Sequence, residues 1–209
     1  SNLNIMMNSG PEICVLSTKS YTSQLAILLL LAYSLVGKKE EARKLIKEAG
    51  LEVKTIIVNN SSRIEQIAER IKGQEDLFLI GRDLAFPSAL EGALKIKEVS
   101  YIHAEGFAGG ELKHGTIALI EKDTPCITLT TDATREMILS NASEIKARGG
   151  YIIGINSKDN EIYDELIKVK ELGHANPIVM IIPIQLLAYH LALKRGCDPD
   201  KPRNLAKSV

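Results

Sequence analysis

The sequence predicts an α/β protein, a three-layer α/β/α sandwich with a mainly parallel sheet, preceded by helices. Three observations point there. After Gly73, short and almost wholly apolar runs such as "DLFLIGR", "PCITLT" and "YIIGIN" alternate with helical patterns. Strands that are apolar along their whole length belong to a parallel sheet covered on both faces. Before Gly73 no strand is evident, apart from a possible short one near Ile13 to Leu16. Finally, 209 residues with 45% hydrophobic content suffice for one domain, or one domain with extra helices.

In chain order, "STKSYTSQLAILLLLAYSLVG" opens at Ser17 with hydroxyl residues suited to a helix N-cap and stops at Gly37. Its apolar run, Leu25 to Val36, is far shorter than the roughly 20 residues of a membrane span, and it reads as a buried core helix. Glu40 to Ala49 and Leu51 to Lys72 continue the helical periodicity, broken at Gly50. The alternating part then runs "DLFLIGR", Pro87 to His103, "TIALIE", "PCITLT", Thr134 to Arg148, "YIIGIN", Glu161 to Lys170 and Pro177 to Leu193. Gly196 ends the last helix, and "CDPDKPRNLAKSV" reads as a frayed tail. The organisation predicted is therefore a helical segment, 1–72, a sheet domain, 73–196, and a C-terminal tail, 197–209.

The 26 basic and 26 acidic residues cancel, and no basic stripe interleaved with aromatics appears, so neither nucleic acid nor an anionic membrane is called for as a partner. Cys14, Cys126 and Cys197 are far apart and odd in number, without a secretory signal, which suits a reducing cytoplasm. Ser1 and Asn2 resemble a cloning scar, which implies a chain cut from something longer.

Chemistry gathers on the helix from Pro87. Glu91, Lys95 and Glu98 fall at i, i+4 and i+7 and so share one face, with Lys95 between two carboxylates. Either this is a solvated salt-bridge face, or it is a carboxylate beside a lysine poised for proton transfer. The helix follows "LIGRD", the end of a strand, and open α/β sheets bind ligands beyond such ends, so the second reading gains weight. Gly81 there is expected to let a sugar or phosphate approach the backbone. Ser17, Thr18 and Ser20 are suited either to capping or to holding a phosphate oxygen.

In "AGGELKHG", Ala108 to Gly115, glycines allow Glu111, Lys113 and His114 to be aimed together. His103, Glu105, Glu111 and His114 raise the possibility of a metal, but the spacing crosses glycines rather than following one helix, so no metal is assigned; no cofactor is called for either. His114 suits acid/base work, whereas His190 and His174 read as a packed helix residue and a loop residue. Lys207 is unremarkable unless the tail folds over the site as a lid.

Taken together, "ALEGALKIKEVSYIHAEGFAGGELKHG", the terminal "PRNLAKSV" and "PEICVLSTKSYTSQLAILLL" resemble the isomerase part of the glutamine:fructose-6-phosphate aminotransferase family, end to end. The resemblance implies a flavodoxin-like sugar-isomerase (SIS) fold: the last helix of a first SIS domain, a helical connector, a whole second SIS domain and a catalytic tail. It implies amination of fructose 6-phosphate to glucosamine 6-phosphate, with ammonia from a glutaminase domain of the same full-length chain, in a homodimer. By motif, Glu98 would move the proton between C1 and C2, Lys207 would form a Schiff base with the ketone, and His114 would assist ring opening in the neighbouring subunit's site. Lys95 and Glu91 would orient the sugar, while Val15 and Ser17 would contact it. Asp83 stands where the family usually has glycine, Thr116 where it has proline, and the tail stops a few residues before the family's usual end. The family's phosphate-binding loop and glutaminase lie upstream of Ser1, so the chain alone is expected to make no product. A phosphosugar sensor or another sugar-phosphate isomerase would use the same fold.

Overall fold

The structure is a computed structural model that describes residues 4–206. Five parallel strands, β1 (Asp76–Gly81), β2 (His103–Ala108), β3 (Pro125–Leu129), β4 (Tyr151–Asn156) and β5 (Glu165–Lys168), form one sheet in the order β2-β1-β3-β4-β5. Side chains alternate across the sheet. Leu77 and Leu79 of β1 face the larger core, while Phe78 and Ile80 face the smaller one. The helices α2 (Lys39–Ile71), α3 (Ala85–Ser100) and α5 (Asn176–Lys194) build the larger layer, with α1 (Lys19–Leu35) outside it against α2 and α5. On the other face, α4 (Arg135–Lys146) and the 3-10 turns Gly109–His114 and Thr116–Leu119 enclose the smaller core. This is the three-layer parallel sandwich the apolar runs predict.

The strand after α3 is an edge strand, β2, and the 161–170 segment supplies the other edge, β5. "TIALIE" is no strand: Thr116–Leu119 is a 3-10 turn, its Ile117 packed under the smaller core. Ile13 to Leu16 is a bend, not a strand. Gly50 does not break α2, which runs unbroken for 33 residues; a Cβ there would meet nothing within 4 Å, so its cost is only the roughly 1 kcal/mol of helix propensity. The length of α2 has a structural use. It covers the free edge of β5 through the Glu52 carboxylate on the Lys170 N–H (2.9 Å) and the Arg63–Glu165 ion pair (2.7 Å).

The expectation of a buried core helix at Leu25 to Val36 is corrected. α1 holds no fully buried residue, and Leu28 (60%), Val36 (67%) and Leu35 (88%) are exposed, because α1 forms the outermost layer with only one side on the core. The central buried helix is α5 instead. Gly173–Lys194 is long and apolar enough to cross a membrane, but 67% of its apolar window is buried between the other helices and the sheet.

Gly81 likewise serves packing rather than a ligand. A Cβ at this position would lie 2.4 Å from the Ala85 carbonyl oxygen, so the glycine lets the first turn of α3 close onto the end of β1. Asp83, in that turn, has φ 50°, the left-handed region where glycine is at no disadvantage and Asp is tolerated.

Candidate functional site

The three charged residues of α3 meet as the spacing predicts. Lys95 is buried (side chain 3% exposed), with Nζ 3.2 Å from Glu91 Oε1 and 2.8 Å from Glu98 Oε2; the two carboxylates are 18% and 19% exposed. This excludes the solvated salt-bridge face. Removing three charges from water costs several kcal/mol per ion unless they satisfy one another, and the alternation of sign along one helix face does that. Glu98 Oε2 is fully buried against Lys95 and has no well-directed hydrogen bond besides this ion pair.

The trio lines a cavity of about 280 Å³, with Val15, Ser17, Ser20, Tyr21 and Gln24 on its other wall and Leu94 beside it. Val15, Ser17, Glu91, Lys95 and Glu98, all singled out from the sequence, are thus brought together. Tyr21 and Gln24 were not, although 17, 20, 21 and 24 share one face of a helix starting near Ser17. Burial, and then the Glu91 charge, raise the Tyr21 phenol above its usual value, with Ser88 opposing. At the start of α1 no hydroxyl caps the helix. Instead Glu12 Oε1 accepts from the Ser20 N–H (2.9 Å) and the Ser20 hydroxyl (2.6 Å), so a carboxylate already occupies that position and Ser20 is not open to a phosphate.

The crevice at the strands' carboxyl ends is a different cavity. It measures about 580 Å³ and is lined by Asp83, Thr131, Glu171 and His174 among others, with none of the α3 trio. Within it, Glu171 Oε2 accepts the Asp132 N–H just before α4 (3.1 Å). The charged face of α3 therefore does not open at the strand ends, because it starts near mid-helix at Glu91, and Lys95 and Glu98 lie in the second half, which runs back toward the start of β2.

His114 closes the turn Gly109–His114, largely exposed and 3.1 Å from Glu111 Oε2; it does not line the cavity of Glu98. Among the described residues no group of three or more His, Cys, Asp or Glu is placed to hold a metal ion, and His103 pairs with Asp76 (2.7 Å) at the start of β2 rather than ending a helix. His174 accepts or donates to the Tyr33 hydroxyl (2.6 Å) in a turn, and His190 packs in α5. Lys207 lies outside the described residues.

A parallel sheet in this order, with a buried carboxylate–lysine–carboxylate helix face beside it, defines a class. The family model for the SIS domain matches residues 70–195, more than half of the chain, and the chain belongs to that family. Among curated proteins it is similar to the glutamine–fructose-6-phosphate aminotransferases (isomerizing) of Bacillus licheniformis, 47% identical over 98% of this chain, and Thermococcus kodakarensis, 42% identical over 100% of it. The chain spans only 35% and 36% of those relatives' lengths. Among solved structures, the C-terminal domain of glucosamine-fructose-6-phosphate aminotransferase from Francisella tularensis is similar, with TM-score 0.83 and 34% identity, covering 92% of this chain and 58% of that one.

Proposed function

We propose that this chain is the C-terminal part of the isomerase half of a glutamine–fructose-6-phosphate aminotransferase, converting fructose 6-phosphate and glutamine-derived ammonia to glucosamine 6-phosphate. The observation that carries the reading is the buried Glu91–Lys95–Glu98 trio facing Val15 and Ser17 across one cavity. In this reaction Lys207 condenses with the C2 ketone of the open-chain sugar, releasing water, and ammonia displaces the lysine to leave an imine at C2. Glu98 then takes a proton from C1 and returns it to C2, so the aldehyde ends at C1 and the amine at C2. Two features favour Glu98 as the base. Its side chain lines the cavity, and Lys95 holds it in place by charge. A sensor that only binds a phosphosugar has no use for such a pair.

His114, exposed and away from this cavity, suits a role in a partner subunit's site, which makes the active form a homodimer. The exposed outer side of α1 suits a helix that belongs to a preceding SIS domain, with a glutaminase domain further upstream. The cysteines, with no disulfide among them, suit the cytoplasm. The test uses protein extended upstream through that domain and supplied with ammonia. It is expected to form glucosamine 6-phosphate, and Glu98→Gln is expected to lower kcat by about 10²- to 10⁴-fold with the fold intact by circular dichroism. An undiminished Glu98→Gln rate would contradict the assignment, and product formed by the isolated chain would contradict the need for the upstream part.

A further inference from the structure

Tyr101 follows Glu98 by three residues and ends α3 with a left-handed backbone, φ 60°. A bulky side chain rarely takes that conformation, and it persists where the surroundings fix it. The surroundings here are the C-terminal segment. The Tyr101 hydroxyl accepts the backbone N–H of Arg203 (2.7 Å), and the Arg203 guanidinium stacks 4.1 Å above the centre of the ring. The same segment is held twice more. The Cys14 thiol donates to the Pro199 carbonyl (2.7 Å), and Pro202 is buried. Asp198 Oδ1 turns the chain between these points by accepting the N–H groups of Asp200 (2.9 Å) and Lys201 (3.3 Å). Over its described residues the tail is therefore tied down, where the sequence reads as frayed.

The two anchors flank the candidate site. Cys14 precedes Val15, which lines the cavity, and Tyr101 lies one helical turn beyond Glu98, about 4.5 Å along the axis. We propose that Tyr101 is a positioning residue: it latches residues 198–203 to the same helix end that carries the base, so that loosening this segment slows the proposed reaction. This deepens the proposed function and rests on it, because there Lys207, four residues beyond Arg203, supplies the attacking amine. Rigid coupling is what such a step needs, since a misplacement of about 1 Å between reacting groups costs on the order of 10²-fold in rate.

Hydrogen exchange and steady-state kinetics together decide it. In the isolated chain, Tyr101→Phe keeps the ring but removes the acceptor, and the Arg203 amide is expected to exchange at least about fivefold faster while amides of β1 and β3 stay protected. Tyr101→Ala, which also removes the stacking surface, is expected to exceed that. Arg203 exchange unchanged in both variants would overturn the latch. In the upstream-extended protein, both variants are expected to lower kcat for glucosamine 6-phosphate with the KM for fructose 6-phosphate nearly unchanged, Phe less than Ala. Faster exchange with unaltered kcat would overturn the positioning role and leave a structural tether. No product from the unmodified extended protein would instead overturn the proposed reaction, and the exchange result would still decide the latch.

Discussion

Lys95 carries a positive charge into a position 3% exposed, where its whole stability rests on Glu91 and Glu98. Replacing it with methionine leaves two half-shielded carboxylates facing each other. Lys95→Met is therefore expected to destabilise the fold by about 3–5 kcal/mol, read as a lower denaturant midpoint; an unchanged midpoint would show the trio to be solvent-screened. The trio was legible in the sequence because i, i+4 and i+7 spacing on a regular helix leaves little freedom. Tyr101 was less so. Its tail contacts join residues more than a hundred positions apart, a distance over which local pattern carries no information. The Glu12 carboxylate at the start of α1 was missed for a related reason: it lies eight residues from Ser20, beyond any standard capping register.

At the scale of elements, the close approach of α3 to β1 hinges on Gly81. Gly81→Ala puts a methyl group 2.4 Å from the Ala85 carbonyl oxygen, and backbone cannot yield there as a side-chain tip would. A loss of about 2–4 kcal/mol is expected in thermal or denaturant unfolding. The seam between α2 and α5 adds a pH dependence. Burial pushes the His190 imidazole below its usual 6.5, against the pull of Glu65 and with the help of Lys194. The folded state thus stays neutral where the unfolded chain takes up a proton, so stability falls as pH drops through about 6.5 and below. His190→Gln is expected to flatten the slope of unfolding free energy between about pH 7.5 and 5; an unaltered slope would place the titration elsewhere. Central strands β3 and β4 were legible because both their faces are buried. Edge strand β2, "HAEGFA", was not, since its half-exposed pattern includes Glu and Gly and looks like the end of α3. "TIALIE" misled in the opposite sense, as a short apolar run fits a 3-10 turn under a core as well as a strand.

For the whole molecule, the layered sheet follows from the alternation of apolar runs with helices, but the depth of each layer does not. α1 is as apolar as a core helix and lies outermost, because what covers a helix depends on chain that its own sequence does not contain. The subunit arrangement belongs to the same scale. If His114 serves a neighbouring site, then His114→Ala and Glu98→Gln, each inactive in the upstream-extended protein, are expected to recover part of the activity when mixed under subunit exchange. No recovery would confine the site to one subunit. Covalent trapping tests most directly whether the α3 carboxylate and the C-terminal tail act together on a keto sugar phosphate, as proposed. Upstream-extended protein incubated with fructose 6-phosphate and borohydride is expected to yield one sugar adduct, mapped by peptide mass to Lys207. No adduct, with sugar-phosphate binding measured in the same sample, would contradict the Schiff-base step and move the chain toward an isomerase that works through Glu98 alone or a phosphosugar sensor.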